Sequence, residues 1–359
     1  MLNRVNVGVI GCGDVSDIYF KNLAGERDSV CLTACANRHI EAARAAAEKH
    51  HIPRVMTIDE LLADPSIDLV LDLTAPAAHD IINRRALLAG KHVYSEKPLG
   101  GTPEQARELL RLARERNLRI GCAPDTFLGG GLQTCRQLLD QGEIGRPLAA
   151  CAFLAWHGPE HEHPNPAFLY QPGAGPLLDY GPYYMTALIH LLGPARSVCA
   201  MTAKGFDTRT CTCPGPHAGE MFSVGTPTHV TGTIRFQNGV LATVLHSFDV
   251  WGHGLPFLEI YGTEGTLRVP DPDTFGGPVC LLRARESVFR EVPLTYGHTE
   301  NCRGIGLLDM AEAIREGRPH RASGELALHT LEILHAFLTS AGEERFVTLG
   351  TACRRPARL

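Results

Sequence analysis

Glu96, Lys97 and Pro98 follow directly on the apolar run KHVYS, which reads as a buried strand. Two adjacent charges do not fit inside such a strand, so they mark its end, where the chain meets solvent or a ligand. A lysine in a partly dry pocket has its ammonium form disfavoured. It can then hydrogen-bond to a hydroxyl being oxidised, or exchange a proton with it. Glu96 could hold Lys97 in place or cap the neighbouring loop. A second chemical signature lies at the N-terminus, where Gly11-Cys12-Gly13-Asp14-Val15-Ser16 follows the apolar run VNVGVI. Gly11 permits a tight turn. Gly13 lets the backbone approach a pyrophosphate held at the positive end of the next helix, with Asp14 and Val15 in the same turn. Ser16 either caps that helix or touches phosphate.

These residues need a scaffold that brings strand ends together. From Val5 to about Cys122, short apolar runs (VNVGVI, VCLTACA, DLVLDLT, KHVYS, RIGCA) alternate with helical patterns such as EAARAAAEKH and PEQARELLRLARERN. That alternation specifies a parallel, doubly wound sheet, because each parallel return needs a covering crossover. Ligands of such sheets bind outside the carboxyl ends of the strands, so Thr74-Ala75-Pro76 and Glu96-Lys97-Pro98 belong at the mouth of a nicotinamide pocket. At the end of the second run the chain reads Ala36-Asn37-Arg38. A carboxylate there would repel a 2′-phosphate, whereas Asn37 and Arg38 could bind one, so the cofactor is NAD or NADP with a lean to NADP. The other reading leaves Arg38 on the adenine or in solvent.

Beyond a linking helix near 133–141 the pattern changes to longer alternating strands joined by turns. Asn238-Gly239 separates THVTGTIRF from VLATVLHSF, and Gly262 and Gly265 mark the turn in FLEIYGTEGTLRV. Such hairpins build an antiparallel sheet, on which helical patterns at 177–192, 305–316 and 325–340 are expected to pack. The expected organisation is therefore an α/β Rossmann domain over residues 1–123 and an α+β domain with a large, mainly antiparallel sheet over 124–359.

Taken together, Gly11-x-Gly13, Thr74-x-Pro76-x-x-His79, Glu96-Lys97-Pro98 and Gly175-Pro-Leu-Leu-Asp179-Tyr-Gly181-Pro-Tyr183 resemble the Gfo/Idh/MocA oxidoreductases, a family that includes glucose–fructose oxidoreductase and inositol dehydrogenases. The similarity runs in order along almost the whole chain. It implies reversible hydride transfer between NAD(P) and a sugar, glycoside or cyclic polyol. It also implies a cofactor site that includes Thr74, Pro76, His79, Glu96 and Lys97, with Lys97 matching the family's catalytic lysine. A homodimer or homotetramer formed through the C-terminal sheet is expected on the same basis. In the family's second motif a histidine commonly follows the aspartate by four residues. Here Tyr183 follows Asp179, as on the glucose–fructose oxidoreductase branch. A phenol near Lys97 would have its ionised form favoured and could act as acid/base, with Asp179 accepting a substrate hydroxyl or orienting Lys97. The plainer readings are a helix cap for Asp179, with Pro182 in the first turn, and an aromatic core residue for Tyr183.

Candidate substrate contacts follow. Asp125, with Thr126, lies after the last Rossmann strand, where a family substrate contact usually falls. Trp156 could stack on a pyranose face or belong to the core. His163 and Asn165 lie in a polar loop able to bond sugar hydroxyls, and Tyr170 ends that stretch. His190, seven residues beyond Tyr183, reads as a core histidine or a substrate contact. His157-x-x-Glu160-His161 imitates a zinc-peptidase motif, but Gly158 and Pro159 forbid the helix it requires. No metal site is expected, a loosely held divalent ion on His161 or His163 being the alternative. Cys211-x-Cys213 has no partner pair at finger spacing. His229, His246 and His253, on or beside sheet strands, read as interface or solvent residues.

Composition narrows the class. The chain has 359 residues, a formal charge of −5 and 44% hydrophobic residues, with no basic block to follow a phosphate backbone. Nucleic acid is not an expected partner. No apolar run reaches the ~18 residues that span a bilayer, and the N-terminus shows no signal-peptide pattern. With twelve cysteines scattered mostly singly, the chain reads as cytoplasmic with reduced thiols. Two further readings are a non-catalytic nucleotide-binding sensor, for which Lys97 would have no use, and a redox-neutral enzyme that holds NAD tightly and oxidises a glycoside only transiently.

Overall fold

A computed structural model describes residues 4–24 and 29–359. Its strands are β1 (Val5–Ile10), β2 (Val30–Ala36), β3 (Val55–Met56), β4 (Leu69–Asp72), β5 (His92–Ser95), β6 (Ile120–Cys122), β7 (Pro147–Ala155), β8 (Ala195–Ala203), β9 (Thr208–Thr210), β10 (Met221–Ser223), β11 (His229–Phe236), β12 (Leu241–Ser247), β13 (Leu258–Gly262), β14 (Gly265–Val269), β15 (Val279–Arg283), β16 (Arg290–Val292) and β17 (Val347–Thr348). The helices are α1 (Ser16–Leu23), α2 (Ile40–His50), α3 (Ile58–Ala63), α4 (His79–Leu88), α5 (Pro103–Glu115), α6 (Gly130–Asp140), α7 (Gly175–Leu192), α8 (Ile305–Glu316) and α9 (Gly324–Glu343). The chain divides into two compact units, one of residues 1–129, 300–331 and 359, the other of residues 130–299 and 332–358.

In the first unit β1 to β6 form a parallel sheet in the order β3-β2-β1-β4-β5-β6. This doubly wound order reverses direction beside β1, which puts the crevice of the sheet between the ends of β1 and β4. The central strands are mostly apolar and almost entirely buried, as in a parallel sheet covered on both faces by helices. Each helix also carries local signals. Thr102 and Gln105 cap α5 reciprocally and Pro103 opens it, while Ala106, Leu109, Leu110 and Ala113 form its buried stripe. Those residues join Ile10, Val70, Val93 and Ile120 in one apolar core.

Residues 300–323 depart from the sequence expectation. The helix at 305–316 was expected on the antiparallel sheet, yet α8 belongs to the first unit. β6 is an edge strand, and an unpaired edge needs a cover. The returning chain supplies it: Ala322 O accepts from Cys122 N, Ser323 bridges Gly121, and His320 approaches Ile120 O. An amphipathic pattern states that a helix has an apolar face but not which sheet receives it. Leu328 and Leu331 of α9 likewise enter the first core.

Asp125 anchors this return, and its expected role as a substrate contact is corrected. It is 1% exposed, and its carboxylate accepts the N–H groups of Gly304 and Gly306, each at 2.9 Å, at the start of α8. Burial pushes its pKa up to about 6 despite those two bonds.

In the second unit the sheet runs β16-β15-β14-β13-β7-β12-β11-β8-β17. It is antiparallel except for the β12–β7 pair. Both hairpins read from the sequence are present: Gly239, at φ +89°, turns β11 into β12, and β13 ends at Gly262 where β14 begins at Gly265. Next to the large sheet in sequence, β9 and β10 form a two-stranded ribbon. Among the described residues no helix is long and apolar enough to cross a membrane.

The raised pKa of Asp125 gives a testable pH dependence. Its unfolded value is about 3.9, so between that and about 6 the native state holds the extra proton. This group's contribution to stability therefore falls as pH rises through the window. The stability of the wild type relative to Asp125→Asn should fall over the same range, as read in denaturation midpoints. A difference that stays flat with pH would contradict the assignment.

Candidate functional site

The turn between β1 and α1 is built around one close approach. Gly11 has φ +106°, and a Cβ on it would lie 2.5 Å from the carbonyl carbon of Leu73 at the end of β4. Only glycine fits, on grounds of both space and backbone region. A Cβ on Gly13 would meet nothing within 4 Å, so the turn leaves open space there, and Asp14 and Val15 are exposed beside it. Ser16 donates from its hydroxyl to Gly13 O at 2.5 Å, which fixes the turn and settles its role as local bracing. This open glycine turn at a helix N-terminus fits a dinucleotide pyrophosphate.

Asn37 is less available than the sequence suggested. Its Oδ1 accepts from Cys12 N at 3.3 Å and its Nδ2 donates to His39 O at 3.1 Å, so it ties the turn to the end of β2. Arg38 beside it is exposed, with no ion pair among the described residues.

At the ends of β4 and β5 the candidate residues form one braced cluster. Glu96 is 8% exposed; it accepts the Tyr19 phenol at 2.7 Å with one oxygen and the N–H of Lys97 at 2.8 Å with the other. Burial, with Glu96 alongside, raises the Tyr19 pKa, which keeps the phenol a donor. Of the two roles open to Glu96, holding the lysine segment is the one realised. Lys97 is half-buried, and the peptide that joins it to Pro98 is cis. Thr74 donates to Asp72 from both its N–H (3.0 Å) and its hydroxyl (2.6 Å), and burial pushes the Asp72 carboxyl upward.

His79 requires a correction. It is fully buried, with Nδ1 2.7 Å from Pro98 O and Nε2 2.8 Å from Thr74 O. Both ring nitrogens are occupied by carbonyls of the two loops that carry the candidate groups. It therefore clamps the loops after β4 and β5 together rather than reaching a cofactor. Pro76 is exposed in the short 3₁₀ turn that precedes α4. Tyr19 is the contributor the sequence did not reveal. It lies 77 residues from Glu96 along the chain, and only its place on the apolar face of α1 hinted at burial.

The second unit carries the other candidates. Asp179 and Tyr183 lie one turn apart on α7, which places them on the same face; the carboxylate is half-buried and the tyrosine 9% exposed. The helix starts at Gly175, so Pro182 is its eighth residue and Asp179 is no cap. His190 is fully buried, its Nε2 3.3 Å from Gln133 Nε2, and it belongs to the core rather than to a substrate surface.

Trp156 is half-buried and packs against an apolar cluster. Its ring lies edge-on to Tyr180 at 4.9 Å and to Phe248 at 4.8 Å, and its Nε1 is buried without a partner. Tyr170 is fully buried and donates to Glu160, so its phenol is not presented to a sugar. Glu160 and Asp249 both bind Arg209, which is 6% exposed, and this buried ion triad supports the loop that starts at Trp156. His163 is half-exposed and accepts from Asn165 N at 3.0 Å, while Asn165 is itself exposed. His246 is fully buried against Tyr184, not at an interface, and burial lowers its pKa to about 4. Gly158, at φ +94°, confines the His157–His161 segment to a 3₁₀ turn. Cys211 and Cys213 are buried free thiols, and no cluster of metal-ligating side chains occurs among the described residues.

Two family profiles match the chain. One, described as an oxidoreductase family with an NAD-binding Rossmann fold, covers residues 5–123; the other, the GFO/IDH/MocA C-terminal domain, covers residues 132–268. The chain belongs to the Gfo/Idh/MocA oxidoreductase family. Within the family it is 32% identical over 215 residues to 1,5-anhydro-D-fructose reductase of Ensifer adhaerens, an alignment that covers 59% of this chain and spans 60% of the reductase. It is 22% identical over 367 residues to scyllo-inositol 2-dehydrogenase (NADP(+)) of Bacillus subtilis, with 97% of both chains covered. Levoglucosan dehydrogenase in complex with NADH and L-sorbose shares the fold at a TM-score of 0.81 and 22% identity, covering 98% of this chain and all of that one.

Gly11→Ala should test the cradle directly. A left-handed backbone costs a non-glycine residue roughly 1–2 kcal/mol, and the contact with Leu73 adds to that. We expect a lower melting midpoint and NADH affinity weakened by about tenfold or more, measured by fluorescence titration. Unchanged affinity would show that the turn is not the dinucleotide site.

Proposed function

We propose that this protein is an NAD(P)-dependent oxidoreductase that moves hydride between the nicotinamide and a hydroxyl-bearing carbon of a sugar, glycoside or cyclic polyol. The single observation that carries the reading is the braced edge of the parallel sheet, where a glycine cradle for pyrophosphate and the lysine of the Glu96-Lys97-Pro98 motif stand at the ends of β1 and β5. The relatives' names, a sugar reductase and an inositol dehydrogenase, support the substrate class.

Bound nicotinamide supplies the hydride acceptor or donor; the chain supplies orientation and proton handling. Lys97 holds the oxygen of the reacting hydroxyl and stabilises charge on it. Glu96 positions Lys97 through the backbone N–H. Tyr183 takes up the hydroxyl proton during oxidation and returns it during reduction, and Asp179 accepts a neighbouring hydroxyl or orients the lysine. Arg38, exposed at the end of β2 and with no ion pair among the described residues, favours the 2′-phosphate of NADP. The reading includes a cytoplasmic enzyme that forms a homodimer or homotetramer through the large sheet. One sheet face supports this, since register places Leu241 and Tyr261 beside Ala149 and Met201 beside Thr231, with the three large side chains exposed.

A screen of sugars and cyclitols with NAD and NADP tests the proposal through absorbance of the reduced cofactor. Lys97→Ala should lower kcat/KM by about 10²–10⁴, and equal turnover would remove that residue from the chemistry. Product formed without net cofactor reduction would favour the redox-neutral alternative, and no turnover with intact nucleotide binding would favour a sensor. Arg38→Ala should weaken NADP by about tenfold, roughly the value of one charged hydrogen bond, and NAD much less. An equal loss for both nucleotides would contradict the 2′-phosphate assignment.

A further inference from the structure

Cys12 stands between the two glycines of the β1 turn as a half-buried free thiol, and Cys35 is a buried one in β2. Strand register brings them together. Val9 pairs with Cys35 and Ile10 with Ala36, and the pairing runs on past β1, where Gly11 N donates to Ala36 O at 2.9 Å. Cys12 Sγ lies 3.7 Å from that same oxygen, on the residue next to Cys35. The two thiols also share a hydrogen bond, and Cys35 Sγ lies 3.4 Å from Ala43 O on α2.

The contact is unequal. Cys12 keeps its proton, because the bond to Cys35 and then burial push its pKa up, while the same bond lowers that of Cys35. One sulfur therefore opens toward solvent, and the other has its thiolate favoured. A small hydroperoxide can convert such a pair. One thiol takes an oxygen from hydrogen peroxide as a sulfenic acid, the O–O bond breaks and one water leaves. The other thiol displaces that oxygen as a second water, and the S–S bond forms. The two sulfurs together lose two electrons, the peroxide gains them, and both thiol protons end in water.

The bond would be felt at the cradle. Sulfurs that share a hydrogen bond stand farther apart than the roughly 2.05 Å of a disulfide, so the chain must close in on one side. β2 is paired on both edges, to β1 and β3, and is the side that resists. The turn is the side that yields. Gly13, next to Cys12, faces the open space that fits a pyrophosphate, and Cys12 N is tied to Asn37 Oδ1 at 3.3 Å. Drawing the Cys12 side chain toward β2 turns this stretch of backbone away from the phosphates it would meet. A disulfide that strains its surroundings is also readily reduced.

We propose that Cys12 and Cys35 are an oxidative modification site, at which hydroperoxide forms a reversible disulfide that lowers the affinity of the cradle for the dinucleotide. This rests on the reading of the turn as the dinucleotide site and adds its regulation.

The reduced protein, treated with hydrogen peroxide and digested without reductant, should yield a linked pair of peptides carrying Cys12 and Cys35, and dithiothreitol should remove it. With NADH at ten times its Kd, only the free form reacts, and the link should form about tenfold more slowly. Fluorescence titration should show NADH affinity weakened about tenfold by oxidation and restored by reduction. Cys35→Ser and Cys35→Ala should bind NADH as the wild type does and keep that affinity after peroxide. Absence of the linked pair, or an oxidised wild type with unaltered affinity, overturns the switch and leaves the nucleotide site standing. Equal peroxide sensitivity in both Cys35 variants assigns the effect to another thiol and also overturns it. A reduced protein that binds neither NADH nor NADPH overturns the nucleotide reading and the regulation with it, whether or not the link forms.

Discussion

The first unit depends on Gly11 lying against the Leu73–Thr74 backbone. A parallel sheet delivers every strand end to one edge, but it does not say how close the loops at that edge come. The absent Cβ decides this. With Gly11 in contact with Leu73, the β1 turn shares one small region with the loop after β4. His79 ties that loop to the loop after β5 by bridging Thr74 O and Pro98 O. Glu96 then joins the lysine segment to α1 through Tyr19. A cradle and a lysine that belong to separate βα units become one braced edge.

Polar groups at this edge are held mainly by other protein groups. Asp72, Glu96 and Asp125 are all nearly inaccessible, and each accepts hydrogen bonds from backbone or hydroxyl donors. An ionised carboxylate without such donors would cost several kcal/mol to bury. This division of labour explains why some candidate ligands proved to be bracing: Asp125, Asn37 and His79 are polar residues near strand ends whose hydrogen-bonding capacity is already engaged within the protein. Lys97 is half-buried, and its own N–H donates to Glu96.

The second unit applies the same logic to a loop. The Glu160–Arg209–Asp249 triad is nearly buried, and a buried ion pair contributes little net stability compared with apolar packing. Its value here is positional, since the guanidinium fastens two segments of chain that a loop would otherwise leave loose. Tyr170 completes the network from below. Sequence placed Trp156 and Tyr170 among possible sugar contacts because both are amphipathic aromatics in a polar stretch, and the packing of Phe248 and Tyr180 turned them inward.

The sequence alone determined the doubly wound sheet, the glycine turn, the lysine at a strand end and the two hairpins of the large sheet. Each is set by short-range rules: alternation of apolar runs with helical stripes, backbone regions only glycine tolerates, and turn dipeptides. It also carried the family's motifs in their order. Only the tertiary structure decided that residues 300–323 cover β6, that Asp125 anchors them, that His79 clamps two loops and that Trp251 stands open while Trp156 is half-buried against an apolar cluster. Most of these outcomes depend on partners tens to hundreds of residues away. Local pattern records that a side chain is polar or apolar, but not which distant surface satisfies it.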